Sequence, residues 1–320
     1  MERIIVFFAA VAPALLFLAY AVAKTRSNWN SEALSNAFLL GAVGALAILL
    51  VEIGLGHLIA HGSLAPLSNA AATAFLVAAV PEETIKFVIL VGVAEKHVDV
   101  RRGQDIVALA VAVSPGFATL ENLFYVATPA DWQAIAASRA VTAVPGHGIN
   151  GLTMGALLTI ARLRPGKARF WIASALLLPV ILHAAYDFPL LALKVAPAPW
   201  VLPLWFFILL FSAVLALTLC NRTLRLAAEA DRASGRDVRP LTHAMPLVVG
   251  GCAILPMSLP LGVLAVHLEE IQNAWWGVGL SLLPAALGID LIWAGVRRRR
   301  PIDRGQPDGP AYIQSAPPQQ

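Results

Sequence analysis

Glu82 and Glu83 stand side by side in the middle of an apolar run, and Lys86 follows them within one helical turn. On a helix Glu82 and Lys86, four apart, share a face and can pair, whereas Glu83 points about 100° away. One lysine then neutralises only one of two adjacent carboxylates, which leaves the other suited to draw a proton from a water. A second pattern, Phe117-x-x-x-Glu121 followed by Tyr125, lines one stripe of a helix and lets the tyrosine hydrogen-bond the carboxylate one turn away. His147 lies between Gly146 and Gly148, after Pro145, where small neighbours let another helix or a substrate backbone come close. His183 and Asp187 are again four apart, so the aspartate can accept from one imidazole nitrogen and leave the other free. That arrangement fixes the tautomer of a general base or of a metal-ligating histidine.

Taken singly, each pattern also describes a packing device: a buried ion pair, a satisfied core histidine, a structural His-Asp pair. Their surroundings weigh against that reading. Hydrophobic residues make up 58% of the 320 positions and charged residues 13%, outside the range of an ordinary soluble domain. A bilayer crossing needs about 20 mostly apolar residues, and stretches at 4–23, 34–60, 69–94, 105–128, 133–161, 170–193, 200–220, 244–266 and 275–296 predict about nine transmembrane helices. An ionisable group at the centre of a bilayer costs roughly 2.5 to 3.5 kcal/mol on insertion scales. At about 1.5 Å per residue, Glu82, Glu83, His147 and His183 come within one or two helical turns of one depth, with Glu121 and Asp187 slightly nearer the outer face. Four helices that deliver acids and histidines to one level predict a site.

The expected architecture is an all-α, polytopic integral membrane helix bundle. It forms a single transmembrane domain over residues 1–300, followed by a tail at 301–320 rich in Pro, Gly and Gln that is expected to be disordered. Most of the 23 lysines and arginines fall in alternate connections, beginning with Lys24 and Arg26. Positive charge resists translocation, so those connections are read as cytoplasmic, the N-terminus as outside and the C-terminus as inside. A reporter fused after Arg304 is accordingly expected to report from the cytoplasm, and an external signal there would overturn the orientation. Residues 4–23 resemble a secretory signal, but cleavage would invert every later loop against the charge rule, so a retained helix is expected. The net charge of +4 then reflects loop placement and lipid contact, with no nucleic-acid partner. Cys220 and Cys252 offer neither a disulfide framework nor a metal spacing and are read as membrane-facing. His57 and His61 are read as interfacial residues at the outer end of the second helix.

At these residues the sequence resembles the PrsW family of intramembrane proteases, distantly similar to the CAAX prenyl-endopeptidase and bacteriocin-processing group. The resemblance rests on Glu82-Glu83-x-x-Lys86, Phe117-x-x-x-Glu121 with Tyr125, His147 after Pro-Gly, and His183-x-x-x-Asp187, in that order. It implies a protease-like core over 34–193, with three additional helices over 200–296. It also implies hydrolysis of a peptide bond in a membrane-anchored protein, of the kind seen in anti-sigma-factor proteolysis, by an enzyme of the bacterial inner membrane.

Under that resemblance Glu82, Glu83, Glu121, His147, His183 and Asp187 are the catalytic candidates, and Lys86 and Tyr125 support them. One glutamate of the pair activates water, His147 or His183 stabilises the oxyanion or protonates the leaving amine, and Asp187 orients His183. The same residues would suit a single divalent metal such as zinc. The absence of a His-Glu-x-x-His motif tilts the reading slightly toward a metal-free glutamate. The alternative is a proton- or ion-coupled transporter that uses these groups as a relay, although no second half with matching broken helices is present.

Overall fold

In an apolar medium every backbone N–H and C=O must find its partner within its own segment or a closed barrel, so long runs of Ala, Leu, Val and Ile fold as helices. A computed structural model describes residues 2–25, 31–96, 103–127 and 131–233 of the chain, and all regular structure among them is helical. The order is α1 (Glu2–Thr25), α2 (Ser31–Ala60), α3 (Pro66–Ala72), a π-helical stretch (Thr73–Ala79), α4 (Val80–Lys96), α5 (Gly103–Val126), α6 (Trp132–Val141), α7 (Ala143–Leu163), a 3₁₀ turn (Pro165–Lys167), α8 (Ala168–Val195) and α9 (Val201–Ala233). The crossings expected at 244–266 and 275–296, Cys252 and the tail lie outside the described residues.

Among the described residues four segments are long and apolar enough to cross a membrane: Glu32–Ala60, Asp105–Val126, Pro165–Val195 and Val201–Ala230. Two of the stretches read as single crossings are not uniform α-helices. The stretch at 133–161 breaks at Thr142, whose backbone leaves helical geometry (φ −123°, ψ −64°). Pro145 explains the break, because in a continuous helix its ring would strike the Val141 carbonyl, whereas in the first turn of a new helix its missing N–H costs nothing. His147 therefore sits one turn into α7. The stretch at 69–94 stays continuous but changes winding, with the Val80 N–H bonding to the Phe75 carbonyl five residues back. The wide π turns end directly before Pro81 and accommodate it without a break in the helix.

Helix α5 is the centre of the bundle, packed by α1, α2, α4, α6 and α7, and 83% of its apolar window is buried. Its neighbours come close because it presents Ala108, Ala110, Ala112 and Ala118. At the crossing of α2 and α5 the fit is tightest. A Cβ on Gly116 would run into the Phe38 carbonyl, and one on Gly41 into the Val113 carbonyl, so each helix supplies the glycine that admits the other's backbone. The outer helices turn Leu39, Leu50, Phe170, Leu177, Phe207 and Phe211 outward. Such an apolar exterior is matched to lipid. Cys220 corrects the sequence expectation: it is wholly buried against the bundle, a small residue where α9 packs, and does not face the membrane.

Candidate active site

Lys86 is 0% exposed, and its side chain is the hub of the polar interior. The ammonium donates to Glu82 Oε2 at 3.0 Å, to Glu83 Oε1 at 2.9 Å and to His147 Nδ1 at 2.9 Å, so all three N–H groups are used. Its Nζ also stands 4.1 Å from the centre of the Phe117 ring. The expectation that one lysine serves one glutamate is therefore corrected. Residues three apart are neighbours on a helix as well as residues four apart, and Lys86 lies between both carboxylates.

Because Lys86 donates to Nδ1 of His147, Nε2 carries the hydrogen and donates to Glu121 Oε2 at 2.6 Å. The other oxygen of Glu121 pairs with the Arg139 guanidinium at 2.8 Å. Arg139 also donates from Nε to Asn122 Oδ1 at 2.7 Å and lies 3.8 Å over the Tyr125 ring. Tyr125 thus meets the cluster through its ring face on Arg139, where the sequence led us to expect a hydrogen bond to Glu121. On α8, His183 places Nδ1 2.8 Å from Glu83 Oε1 and Nε2 3.2 Å from Asp187 Oδ2, with Glu82 Oε1 3.9 Å from Nε2. The two histidine rings meet edge to face, their centres 5.7 Å apart. Asn150 adds a third donor to Glu83 Oε1 at 3.3 Å. All eight residues singled out in the sequence thus come together around one point.

The glutamates differ in what they face. Glu82 lines a cavity of about 700 Å³, together with Glu121, His147, His183, Asp187 and Tyr125. Glu83 is 0% exposed and is not among the residues lining that cavity; its Oε1 gathers three donors, while its Oε2 is buried without a hydrogen-bond partner among the described residues.

Two residues escaped the sequence reading. Glu52 of α2 lines the same cavity as Glu82. Its signal was available, since it is an acid within a long apolar helix and carries the insertion cost that singled out Glu82. Arg139 was missed because the basic residues were weighed as loop markers, although it lies inside a stretch read as membrane-embedded.

The donors also meet the requirements of a divalent cation. Glu82, Glu83 and His183 form one group whose candidate ligand atoms lie within 4.8 Å of one another, and Glu82, Glu121 and His147 form a second. Hydrogen bonding favours His183 over His147 as a ligand. The Nδ1 of His183 points at the Glu83 carboxylate, which is how a metal-ligating histidine is usually held, whereas the Nδ1 of His147 is turned to the Lys86 ammonium. The orphan Oε2 of Glu83 and the excess of carboxyl groups over the two permanent cations, Lys86 and Arg139, fit an additional positive charge.

A family model described as PrsW family intramembrane metalloprotease matches residues 30–217. The chain is 32% identical to Protease PrsW of Halalkalibacterium halodurans over 62% of its own length and 90% of that relative's. It is 31% identical to Protease PrsW of Bacillus subtilis over 62% of its length and 90% of the relative's. With Protease PrsW of Geobacillus kaustophilus the identity is 33%, over 58% and 79%. No solved structure matches the chain.

Proposed function

Because this chain belongs to the PrsW family of intramembrane proteases, we propose that it hydrolyses a peptide bond in a membrane-anchored protein substrate with Glu82 as the water-activating carboxylate. The observation that carries this assignment is the difference between the two glutamates: Glu82 lines the cavity and Glu83 does not. Glu82 takes a proton from water as the water oxygen bonds to the scissile carbonyl carbon. The same proton passes to the leaving nitrogen as the C–N bond breaks. His183 is held through Nδ1 by Glu83, and its Nε2 hydrogen turns from Asp187 to the developing oxyanion, while Arg139 fixes the Glu121 carboxylate against His147.

Glu83 and Lys86 are positioning residues in this reading. If a divalent cation is the working cofactor, Glu82, Glu83 and His183 would hold it, and it would supply Lewis-acid polarisation and lower the pKa of water toward about 7. The catalytic unit comprises the 34–193 core and α9, embedded in a bacterial inner membrane. In this reading the substrate class is a membrane-anchored regulator such as an anti-sigma factor. The transport reading finds no support in the family.

The test is cleavage of a single-span model substrate by the purified full chain in detergent, with and without chelator. Cleavage is the expected result, and its loss with chelator and return with zinc would mean that the carboxylates and His183 hold a metal. Cleavage indifferent to chelator would assign the chemistry to the glutamate alone, and a broad substrate panel left intact would overturn the proteolytic reading.

A further inference from the structure

The cavity does not end at the catalytic cluster. His183, Asp187, Leu190, Leu191 and Lys194 all line it from α8. Their spacings of four, three, one and three residues put them on one face, so the cavity follows that helix for about three turns. At about 1.5 Å per residue, Lys194 stands about 16 Å along the axis from His183. Between the two, Leu190 and Leu191 make the groove apolar, and Trp205 and Leu209 of α9 pack beside Leu190 and line the same cavity.

Lys194 ends this groove with a charge that nothing in the fold uses. The other permanent cation lining the cavity, Arg139, is bound to Glu121 at 2.8 Å. Lys194 is exposed, and its ammonium forms no ion pair among the described residues. In the orientation expected from the sequence this end of α8 faces outward, so Lys194 is not accounted for as a cytoplasmic marker.

We propose that Lys194 is a substrate-binding residue that pairs with an acidic side chain of the substrate about five residues from the scissile bond. The proposal rests on the proteolytic reading above. A peptide bond inside a helix is shielded, so the segment must unwind before water can attack. An extended chain advances about 3.3 Å per residue, and about five residues therefore span the distance from His183 to Lys194. The residues between lie along Leu190, Leu191 and Leu209 and are apolar. The carboxylates Glu52, Glu82, Glu121 and Asp187, deeper in the cavity, repel an acidic residue that enters farther, so charge sets the register of the peptide as well as its affinity. The substrate class is a membrane segment whose apolar run closes, about five residues beyond the cut, on Asp or Glu.

The experiment measures cleavage of single-span model substrates by the purified full chain in detergent. One Asp is moved stepwise away from the scissile bond, on either side, and each substrate is compared with its Asn counterpart. With the Asp near the fifth position, wild type should show a kcat/KM about fivefold above that for Asn, carried mostly by KM, the size of one accessible ion pair. Lys194→Ala should bring that ratio to about one, and Lys194→Arg should keep it. Lys194→Glu should reverse it in favour of a substrate with Lys at the same position. Added salt should shrink the wild-type ratio.

A ratio that is the same in wild type, Lys194→Ala and Lys194→Glu, whatever their absolute rates, would overturn the inference and leave Lys194 as an anchor for lipid headgroups. So would a preference that peaks beside the scissile bond. The ratio is read within each variant, so one that folds less well still reports it. If wild type cleaves none of the substrates, the proteolytic reading fails. The affinities of the same Asp and Asn segments for wild type and Lys194→Glu then decide the role of Lys194 by the same comparison.

Discussion

Glu82→Gln should lower the rate of cleavage by about 10²- to 10⁴-fold, the usual contribution of a general base, while leaving the fold nearly as stable as wild type. The amide is isosteric and its oxygen can still accept from Lys86, but it cannot take a proton from water. The neighbouring Glu83 keeps its charge beside Lys86, so no buried cation is stranded. Glu83→Gln differs in kind, since it removes the carboxylate that meets Lys86, His183 and Asn150 at once. Cleavage and thermal unfolding measured on both variants separate the two roles. A Glu82→Gln protein that still cuts at the wild-type rate would remove Glu82 from the chemistry.

Lys86→Met should destabilise the protein by about 3–5 kcal/mol, the loss seen when one partner of a buried ion pair is removed and the other charge is left unpaired. The side chain is fully buried, both carboxylates stand within 3.0 Å of its ammonium, and no water reaches it to replace the charge. The double variant Glu83→Gln/Lys86→Met should recover part of that loss, because it removes an anion along with the cation. Thermal unfolding of the two single variants and the double variant in detergent forms the cycle. Additive losses would mean that Lys86 and Glu83 are energetically independent, contrary to their geometry.

The site was legible in the sequence because buried charge is expensive, and its cost makes each ionisable residue in an apolar run stand out. The spacings also carried real geometry: His183 and Asp187, four apart, do meet. Two things were not legible. Which neighbours a residue meets across helices depends on packing, so the place of Glu52 on the cavity that Glu82 lines, or the reach of His147 to both Lys86 and Glu121, has no signature in local spacing. Arg139 was hidden by its type, since a basic residue invites a topological reading before a chemical one. In the fold, hydropathy found the apolar stretches but not their interruptions. Pro145 marks a new helix start in one stretch and Pro81 follows a change of winding in another, and hydropathy alone does not distinguish these outcomes.

The seven π-helical residues Thr73–Ala79 make one unbroken rod behave as two angular frames. A surplus residue in a helix advances everything beyond it by about 100°, so this stretch acts as a phase shifter. Upstream of it α3 rests on α8, and downstream α4 rests on α2 and α5. A helical wheel drawn without interruption from Pro66 to Lys96 therefore assigns Glu82, Glu83 and Lys86 to the wrong neighbours, although each half drawn alone is correct. When the chain is laid beside a relative wound uniformly here, residues that coincide in space will differ by one in count. Angular position in such a helix has to be reckoned afresh from Val80.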